Sequence, residues 1–250
     1  MAELVTVARD GDVLIIRLNR PEKKNAMTRV MYDAVVEAFA VADRDGAGAI
    51  LIAGSGGSFM AGNDLADFLA ATERPDDLSA FRFITGLARL ETPLVAAVDG
   101  VAVGVGTTML LHCDLVYAAP TALFRLPFVD LGLVPEAASS LLLPRRVGLA
   151  KASELLLLAE PFDADEGFRI GLVNAVVPAD RLFVHALEQA KKLSAKPRQA
   201  IAATRRLMRG NQAEILAAME RESIAFREAL ASPAAKAAFS AFLSKSKPAA

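Results

Sequence analysis

The sequence predicts an α/β fold followed by a helical C-terminal region, and two observations carry this prediction. Short apolar strands begin at Ala49 and at Leu94, and each leads through a glycine-rich loop toward a helix. Beyond residue 179 glycine is nearly absent, while alanine, leucine, lysine and arginine dominate, a composition typical of consecutive helices. We therefore predict an α/β core over residues 1–195 and a C-terminal helical region over residues 196–250.

The other elements follow from local patterns along the chain. Residues 4–9 and 13–18 read as two strands around the turn Asp10-Gly11-Asp12, which is a strong hairpin signal. Thr28 is predicted to cap a helix that ends near Arg44, because apolar residues recur on one face of this segment. The remaining predicted strands are 49–53, 94–98, 114–118, 122–124 and 173–177. Further helices are predicted after residue 65, over 77–90, from residue 109, after the segment 131–140, and over 149–159 and 163–170. Beyond residue 179 we predict three or four helices, with breaks near residues 196–197, 210–211 and 232–233.

Composition excludes several classes of partner. The chain has 28 basic and 29 acidic residues, a net charge near −1, whereas nucleic-acid binding requires a basic face. The single cysteine, Cys113, excludes an internal disulfide framework and fits a reducing compartment. No secretory signal is recognisable, and no apolar run approaches the roughly 20 residues needed to cross a bilayer. We therefore expect a cytoplasmic protein with neither a nucleic-acid nor a membrane partner.

The stretch around Leu94–Val98 is the strongest indication of a site. This strand is followed by Gly100, Gly104 and Gly106, and a strand that runs through glycines into a helix leaves backbone N–H groups free to bind negative charge. The dinucleotide-binding pattern fails, because Met109 stands where the third glycine is needed, and no Gly-Lys-Ser/Thr phosphate loop is present. The pattern therefore favours a small anion, such as one that exists only during a reaction.

The sequence lacks residues that several common types of catalytic site require. There is no Gly-x-Ser-x-Gly motif, and the only histidines are His112 and His185, so a nucleophilic triad has few candidate members. The spacing of histidine, cysteine and carboxylates predicts no metal site. The cluster Arg205, Arg206 and Arg209 is interpreted as a solvated helix face, with phosphate binding as the alternative. The isolated carboxylates that remain as candidates are Asp64, Asp99, Asp114, Asp130 and Glu136.

Glu136 allows two interpretations from its neighbours. It follows Pro135 within the apolar segment Leu131–Ala138, and burial there would raise its pKa toward neutrality and make it a usable general base. Alternatively, Pro135 and Glu136 occupy the first turn of a helix, where both residue types are favoured. Asp64 and Asp99 are interpreted as loop or cap residues that fix the two glycine-rich turns.

Four motifs together resemble one known family. They are Arg20-Pro-Glu-Lys-Lys-Asn-Ala26, Phe59-Met-Ala-Gly-Asn-Asp-Leu65, Ala97-Val-Asp-Gly-Val-Ala-Val-Gly-Val-Gly106 and Cys113-Asp-Leu115. In this order and spacing they resemble the crotonase (enoyl-CoA hydratase/isomerase) superfamily, from about residue 4 into the C-terminal region. The resemblance implies a spiral of β-β-α repeats followed by a C-terminal helical region that packs in trimers or in dimers of trimers.

The resemblance also implies a substrate and a site. Members of the family bind acyl-CoA thioesters and stabilise an enolate at the thioester oxygen with two backbone N–H groups. In this chain the matching donors are the amides of Asn63 and Val105, although glycine is more usual at the second position. A donor of this kind typically lowers a barrier by about 3 kcal/mol. The positions that match CoA contacts are Lys24, Ala26, Ala61, Asp64 and Leu65, and no cofactor or metal is implied beyond the CoA moiety of the substrate.

Departures from the family pattern indicate the reaction. Family hydratases use two glutamates to hold and activate water, and the matching positions here are Thr108 and Phe128, neither of which is an acid or a base. The segment Val134–Ser140 resembles the Δ3,Δ2-enoyl-CoA isomerase branch, in which one glutamate is the only base. The resemblance therefore favours an isomerase with Glu136 as the catalytic base.

Two alternatives remain open from the sequence. The first is a hydratase or another crotonase reaction, such as ring isomerisation or thioester hydrolysis, for which Asp130 is the nearest unassigned carboxylate. The second is a non-catalytic scaffold that binds acyl-CoA. Five apolar residues could either line a pocket for the acyl chain or belong to the ordinary core, and the sequence does not distinguish these roles: Leu65, Phe68, Phe81, Phe83 and Phe128.

Overall fold

The computed structural model describes residues 3–67 and 79–245. Phe68 and the predicted start of the helix at residue 77 lie outside these residues. The strands are β1 Val5–Asp10, β2 Val13–Leu18, β3 Ala49–Gly54, β4 Leu94–Val98, β5 Val101–Val103, β6 Leu115–Ala118, β7 Leu123–Arg125, β8 Phe162–Asp163 and β9 Ala175–Val176. The helices are α1 Arg29–Arg44, α2 Ser79–Arg89, α3 Val105–Thr108, α4 Ser139–Val147, α5 Leu149–Ser153, α6 Ala164–Arg169, α7 Ala179–Ser194, α8 Arg198–Arg209, α9 Gln212–Ala231 and α10 Pro233–Lys245.

The larger sheet has the strand order β1-β2-β3-β4-β6-β9. Only the hairpin β1–β2 is antiparallel; the other strand pairs are parallel, so the central strands are covered on both faces. Ile50 and Ile52 of β3 pack in the core that α1 and α2 complete, whereas Leu51 faces the core completed by α7. The alternating direction of side chains along a strand thus explains how one continuous apolar run serves two cores.

A second sheet, with the order β5-β7-β8, was not predicted. The chain leaves β4 through Gly100, whose φ is +58°, and a Cβ at this position would lie 2.1 Å from the Gly57 carbonyl oxygen. This tight turn lets β5 form between Gly100 and Gly104. The helix predicted from residue 109 begins earlier, at Val105. That helix is the single turn α3, followed by a 3-10 turn at Met109–His112.

The C-terminal part follows β9 as the consecutive helices α7 to α10, with breaks where Pro197, Gly210 and Pro233 predict them. The segment 149–159 differs from its prediction as one helix, because α5 passes into a π-helical turn at Glu154–Leu158. Among the described residues, no helix is both long enough and apolar enough to cross a membrane. The mixed α/β class is confirmed, and the boundary at residue 195 stays a prediction.

The interpretation of the arginine cluster as a solvated face is wrong for two of its three members. Arg205 donates from Nε to Asp114 Oδ1 at 2.9 Å, and Arg209 donates from Nη2 to the same oxygen at 3.0 Å. The side chain of Arg205 is only 10% exposed. Arg206 is exposed, as expected. The sequence could not indicate the contact, because Asp114 is 91 residues away from Arg205.

Candidate active site

The two glycine-rich loops lie side by side in the structure. Met60 forms a parallel bridge with β5, donating its N–H to the Val101 carbonyl and accepting the Val103 N–H, each at 2.9 Å. Gly106 permits this approach, because a Cβ there would lie 2.4 Å from the Met60 carbonyl oxygen. The loop that leads to Asn63 therefore runs directly against the start of α3.

The backbone N–H groups of Asn63 and Val105 are available to an anion. Met27 forms a parallel bridge with Asn63 but makes its two hydrogen bonds to the residues before and after it, so the Asn63 N–H faces the opposite side. Val105 is the first residue of α3, where an N–H has no partner within its own helix. Neither N–H donates to an acceptor within residues 3–67 and 79–245.

The residues that the resemblance assigns to CoA contact lie on two adjoining segments. Residues 24–27 and 61–65 run alongside one another, and the Ala61 N–H donates to the Lys24 carbonyl at 3.0 Å. Lys24 is exposed, so its ammonium group can reach a ligand at this edge. The structure brings the five predicted residues together, and their contact with CoA stays a prediction: Lys24, Ala26, Ala61, Asp64 and Leu65.

Asp64 holds the two segments in place, as expected of a cap residue. Its Oδ2 accepts from Arg20 Nη1 at 2.8 Å, and its Oδ1 accepts from the N–H groups of Ala66 and Asp67, which begin a helical turn. Partial burial disfavours the charged form, but the hydrogen bonds from Asp67 and Arg20 outweigh this and hold the pKa of Asp64 below its usual value. The carboxylate therefore joins Arg20 to the start of the turn after Asp64.

The first-turn interpretation of Glu136 is wrong, because α4 begins only at Ser139. Ala137 and Ala138 intervene with φ values of +58° and +57°, both in the left-handed region. A helix cannot start through two left-handed residues, so Glu136 stands on a tight turn ahead of the helix. This turn also separates the carboxylate from the N-terminus of α4, where the helix dipole would lower its pKa.

The carboxylate of Glu136 has the properties of a base near neutral pH. Protein atoms surround it closely while part of the residue remains accessible, and burial raises the pKa of Glu136 to about 7. Thr108 Oγ1 donates to Glu136 Oε1 at 2.6 Å and opposes this rise, whereas the charge of Glu222 adds to it. Thr108 ends the single turn that begins at Val105, so the carboxylate binds the same short helix that offers the free N–H.

Tyr32 of α1 contacts the other loop and was not recognised from the sequence. Its hydroxyl donates to Asn63 Oδ1 at 2.5 Å, and burial raises the pKa of Tyr32 well above its usual value, so it remains a neutral donor. This bond holds the Asn63 side chain toward α1. Tyr32 lies in the apolar stripe of α1, where an aromatic residue is normally read as core.

Glu222 of α9 is the second contact that sequence analysis missed. It is buried, and its carboxylate accepts from the N–H groups of Ala138 and Ser140 and from the Ser140 hydroxyl. A sequence signal existed, because Glu222 continues the buried positions Ile215, Ala218 and Met219 at helical spacing. A charged residue on a buried helix stripe needs a partner, and here the partner is the turn after Glu136.

Comparison with known proteins assigns the family. The family model described as Enoyl-CoA hydratase/isomerase matches residues 8–249. The chain belongs to the enoyl-CoA hydratase/isomerase family. The solved structure of an enoyl-CoA hydratase/isomerase from Pseudoalteromonas atlantica T6c is 42% identical, with a TM-score of 0.93 over 99% of this chain and 100% of that one. The expected crotonase fold is thereby confirmed.

Some known relatives of this chain are named isomerases and others hydratases. "Enoyl-CoA delta isomerase 2" of Rattus norvegicus is 34% identical over 87% of this chain, which spans only 57% of the rat protein. "Probable enoyl-CoA hydratase echA8" of Mycobacterium bovis is 40% identical over 77% of this chain and 76% of that protein. Similarity therefore supports the enoyl-CoA hydratase/isomerase family without distinguishing between the two reactions.

The two positions that the resemblance matches to the glutamates of family hydratases, Thr108 and Phe128, are both buried. Thr108 is fully buried and bonded to Glu136, and the Phe128 side chain is buried in the main core. Asp130, the alternative carboxylate, is about half exposed and pairs with Arg125 at 2.8 Å. Of the other candidates, Asp99 accepts from Thr121, which fits its predicted role in a turn.

The residues proposed for an acyl pocket divide between core and surface. Phe83 and Phe128 are buried in the main core, whereas Leu65 and Phe81 are partly buried against it. Phe68 lies outside the described residues.

His112 is buried as well. Its Nε2 lies 2.8 Å from the Ala137 carbonyl oxygen, and burial lowers the pKa of His112 to about 4. Within residues 3–67 and 79–245, no group of three or more histidine, cysteine or carboxylate side chains could hold a metal ion.

Proposed function

We propose that this chain is an acyl-CoA isomerase that moves the double bond of a 3-enoyl-CoA to the 2-position. The observation that carries the proposal is the carboxylate of Glu136, whose burial raises its pKa to about 7 and which hydrogen-bonds Thr108 three residues after Val105. Three residues rise about 5 Å along a helix, so base and anion donor are neighbours. A single base next to an anion site suits a proton shift.

The proposed reaction needs no second base. The Glu136 carboxylate takes a proton from C2 of the 3-enoyl thioester, and the electron pair of the broken C–H bond spreads over C2, C4 and the thioester oxygen. The N–H groups of Asn63 and Val105 then donate to that oxygen, which carries the negative charge of the dienolate. Glu136, now a neutral acid, returns the proton at C4, and the double bond ends between C2 and C3. A pKa near neutrality suits both steps, because the same group must accept and release the proton.

The residues around Glu136 argue against hydration by the usual family mechanism. Thr108 and Phe128 carry no ionisable group, and Glu222, the other carboxylate whose charge acts on Glu136, already accepts three hydrogen bonds. Hydratase activity remains the second candidate, because a relative that is 40% identical is named a probable hydratase. In that case the exposed Asp130 would have to supply the missing acid or base.

The partners follow from the same proposal. The substrate is an acyl-CoA thioester whose CoA part contacts the adjoining segments 24–27 and 61–65. We also propose assembly as a homotrimer or a dimer of trimers, which the exposed apolar side chains of Leu207 and Met208 on α8 support.

Turnover of a 3-enoyl-CoA by the wild type and by Glu136→Gln tests the proposal. Glutamine keeps the size of the side chain and its acceptor for Thr108 but cannot take a proton. We expect kcat to fall by about 10²- to 10⁴-fold, while the Kd for the CoA ester stays within about threefold. Ultraviolet absorbance of the conjugated 2-enoyl product measures the rate.

Hydration of crotonyl-CoA by the same proteins and by Asp130→Asn separates the alternatives. Negligible hydration with fast, Glu136-dependent isomerisation supports the isomerase. Dominant hydration that Asp130→Asn abolishes would establish the hydratase instead. Retained CoA-ester binding without either reaction would favour a non-catalytic scaffold, and an active Glu136→Gln variant would refute Glu136 as the base.

A further inference from the structure

The turn that carries Glu136 has a strained backbone and is held by hydrogen bonds from several residues. Ala137 and Ala138 are fully buried with positive φ, a conformation that costs about 1 kcal/mol or more for each non-glycine residue. Such a turn persists only when its surroundings hold it. The Ser139 N–H and hydroxyl both donate to the Glu136 carbonyl, at 3.0 and 2.6 Å, and His112 Nε2 lies 2.8 Å from the Ala137 carbonyl oxygen.

The strongest of these ties comes from a helix distant in sequence. Glu222 on α9 accepts the Ala138 N–H at 2.6 Å through one carboxylate oxygen and the Ser140 N–H at 2.9 Å through the other, which also accepts the Ser140 hydroxyl. These partners are 84 and 82 residues away from Glu222. Burial raises the pKa of Glu222, and the three hydrogen-bond donors oppose this rise because they stabilise the ionised carboxylate.

We propose that Glu222 is a positioning residue for the base, holding the left-handed turn at Ala137 and Ala138 so that Glu136 meets Thr108 and the anion site. This inference rests on the proposed role of Glu136 and extends it. A carboxylate is required, because it alone presents acceptors on both oxygens at this distance. Glutamine in its place would turn an NH₂ group toward an N–H donor, whichever way its amide is oriented.

The charge of Glu222 affects the pKa of Glu136, an effect that a residue with a purely structural role would not have. Its negative charge adds to the raised pKa of Glu136. The other groups facing this region are Tyr32 from α1, which is neutral, His112 beside Ala137, which is neutral at assay pH because its pKa is lowered to about 4, and Arg221 next to Glu222. Among residues 3–67 and 79–245, Glu222 is the one anion whose charge raises the pKa of Glu136, so its removal should lower that pKa.

The test compares Glu222→Gln and Glu222→Asp with a matched control on the same helix. Glu214→Gln is that control, because Glu214 pairs with Arg145 of α4 on the surface and so links the same two helices without contacting the turn. For Glu222→Gln we expect kcat on a 3-enoyl-CoA to fall about 10- to 100-fold with KM within about threefold, since misplacement of a base affects turnover more than binding.

The pH profile separates positioning from loss of folding. The acid limb of kcat should move to lower pH in Glu222→Gln, because the pKa of Glu136 falls with the neighbouring charge removed. Glu222→Asp keeps the charge on a shorter side chain, so kcat should fall while the limb stays near that of the wild type. A merely unfolded fraction would lower kcat without moving the limb. Unchanged kcat and pH profile in folded Glu222→Gln would overturn the proposal.

Amide hydrogen exchange tests the positioning without any turnover. Peptides covering residues 136–140 should exchange at least about tenfold faster in Glu222→Gln, while those covering 94–98 keep the wild-type rate. If wild type shows no isomerase activity, the proposed function fails, but faster exchange at 136–140 would still establish the tie, and unchanged exchange would refute it. Ser140→Ala, which removes one bond and keeps the charge, provides the same readout should the Glu222 variants fail to fold.

Discussion

At the scale of single residues, Glu136 is governed by three neighbouring influences on its pKa. Burial is the largest and raises it, the hydrogen bond from Thr108 lowers it, and the charge of Glu222 raises it again. The result, a pKa of about 7, makes the carboxylate basic enough to remove a proton while keeping it ionised in part of the molecules at neutral pH. Each influence can be removed separately, and the direction of each shift follows from its cause.

Thr108→Val should move the acid limb of isomerase activity to higher pH. The base must be ionised to accept a proton, so activity rises as pH increases through the pKa of Glu136. Without the hydroxyl that stabilises the carboxylate, this pKa increases, and the variant should be slower than wild type below neutrality and approach it at alkaline pH. The pH profile of kcat/KM measures the effect. Thr85→Val, which removes a hydroxyl bonded only within α2, should leave the limb in place.

Glu136→Gln should stabilise the folded protein above neutral pH. A carboxyl group whose folded-state pKa is raised from 4.5 to about 7 contributes stability below pH 4.5, and that stability is lost as pH rises through about 7. Glutamine carries no such penalty and keeps the acceptor for Thr108, so we expect about 3 kcal/mol more stability than wild type above neutrality. Thermal unfolding at acidic and alkaline pH checks this. Equal stability of the two proteins at alkaline pH would contradict the burial penalty.

The sequence indicates some of these residues and not others for a physical reason. Glu136 stands out because its sequence neighbours are apolar. The two glycine-rich loops are local features too, and the resemblance assigns the Asn63 and Val105 amides within them. Glu222 and Tyr32 act through contacts with residues far along the chain, so no local pattern marks their partners. The same applies to Ala137 and Ala138, because alanine gives no sign of a left-handed turn.

At the scale of elements, short backbone bridges rather than long strands assemble the site. Single parallel bridges join Met27 to Asn63 and Met60 to Ala102, and glycines allow the chains to approach this closely. Long strands such as β3 were predictable from their apolar runs, whereas β5 and β8 are three and two residues long and leave no periodic pattern. The geometry of the anion site therefore depends on packing that the sequence shows only as glycines.

Gly106→Ala should impair turnover through the backbone alone. Its Cβ would meet the Met60 carbonyl at 2.4 Å, which forces the two loops apart and moves the Val105 N–H away from the Asn63 N–H. We expect kcat to fall about 10- to 100-fold. Gly86→Ala is the control, because a Cβ in α2 meets only Phe39 at an ordinary 3.8 Å and alanine favours a helix. Steady-state kinetics of both variants measures the effect. If Gly106→Ala keeps the wild-type kcat, the reaction does not depend on close packing of the two loops.

At the scale of the whole molecule, the C-terminal helices are fastened to the sheet core through Asp114. This residue precedes β6; its Oδ2 accepts the Leu94 N–H at 2.8 Å at the start of β4, and its Oδ1 accepts from Arg205 and Arg209 of α8. One carboxylate thereby links two neighbouring strands and a helix. Composition predicted the helices but not this attachment, because charged helix positions normally face water.

Asp114→Ala should destabilise the protein far more than loss of a surface ion pair. It leaves two largely buried guanidinium groups without their carboxylate partner and the Leu94 N–H without its acceptor, for which we expect a loss of about 3 kcal/mol or more in the free energy of unfolding. Asp130→Ala removes a carboxylate whose pair with Arg125 is about half exposed, so its cost should stay below about 1 kcal/mol. Urea unfolding measures both variants. A loss for Asp114→Ala no larger than that for Asp130→Ala would mean that contacts other than this carboxylate secure the helices to the core.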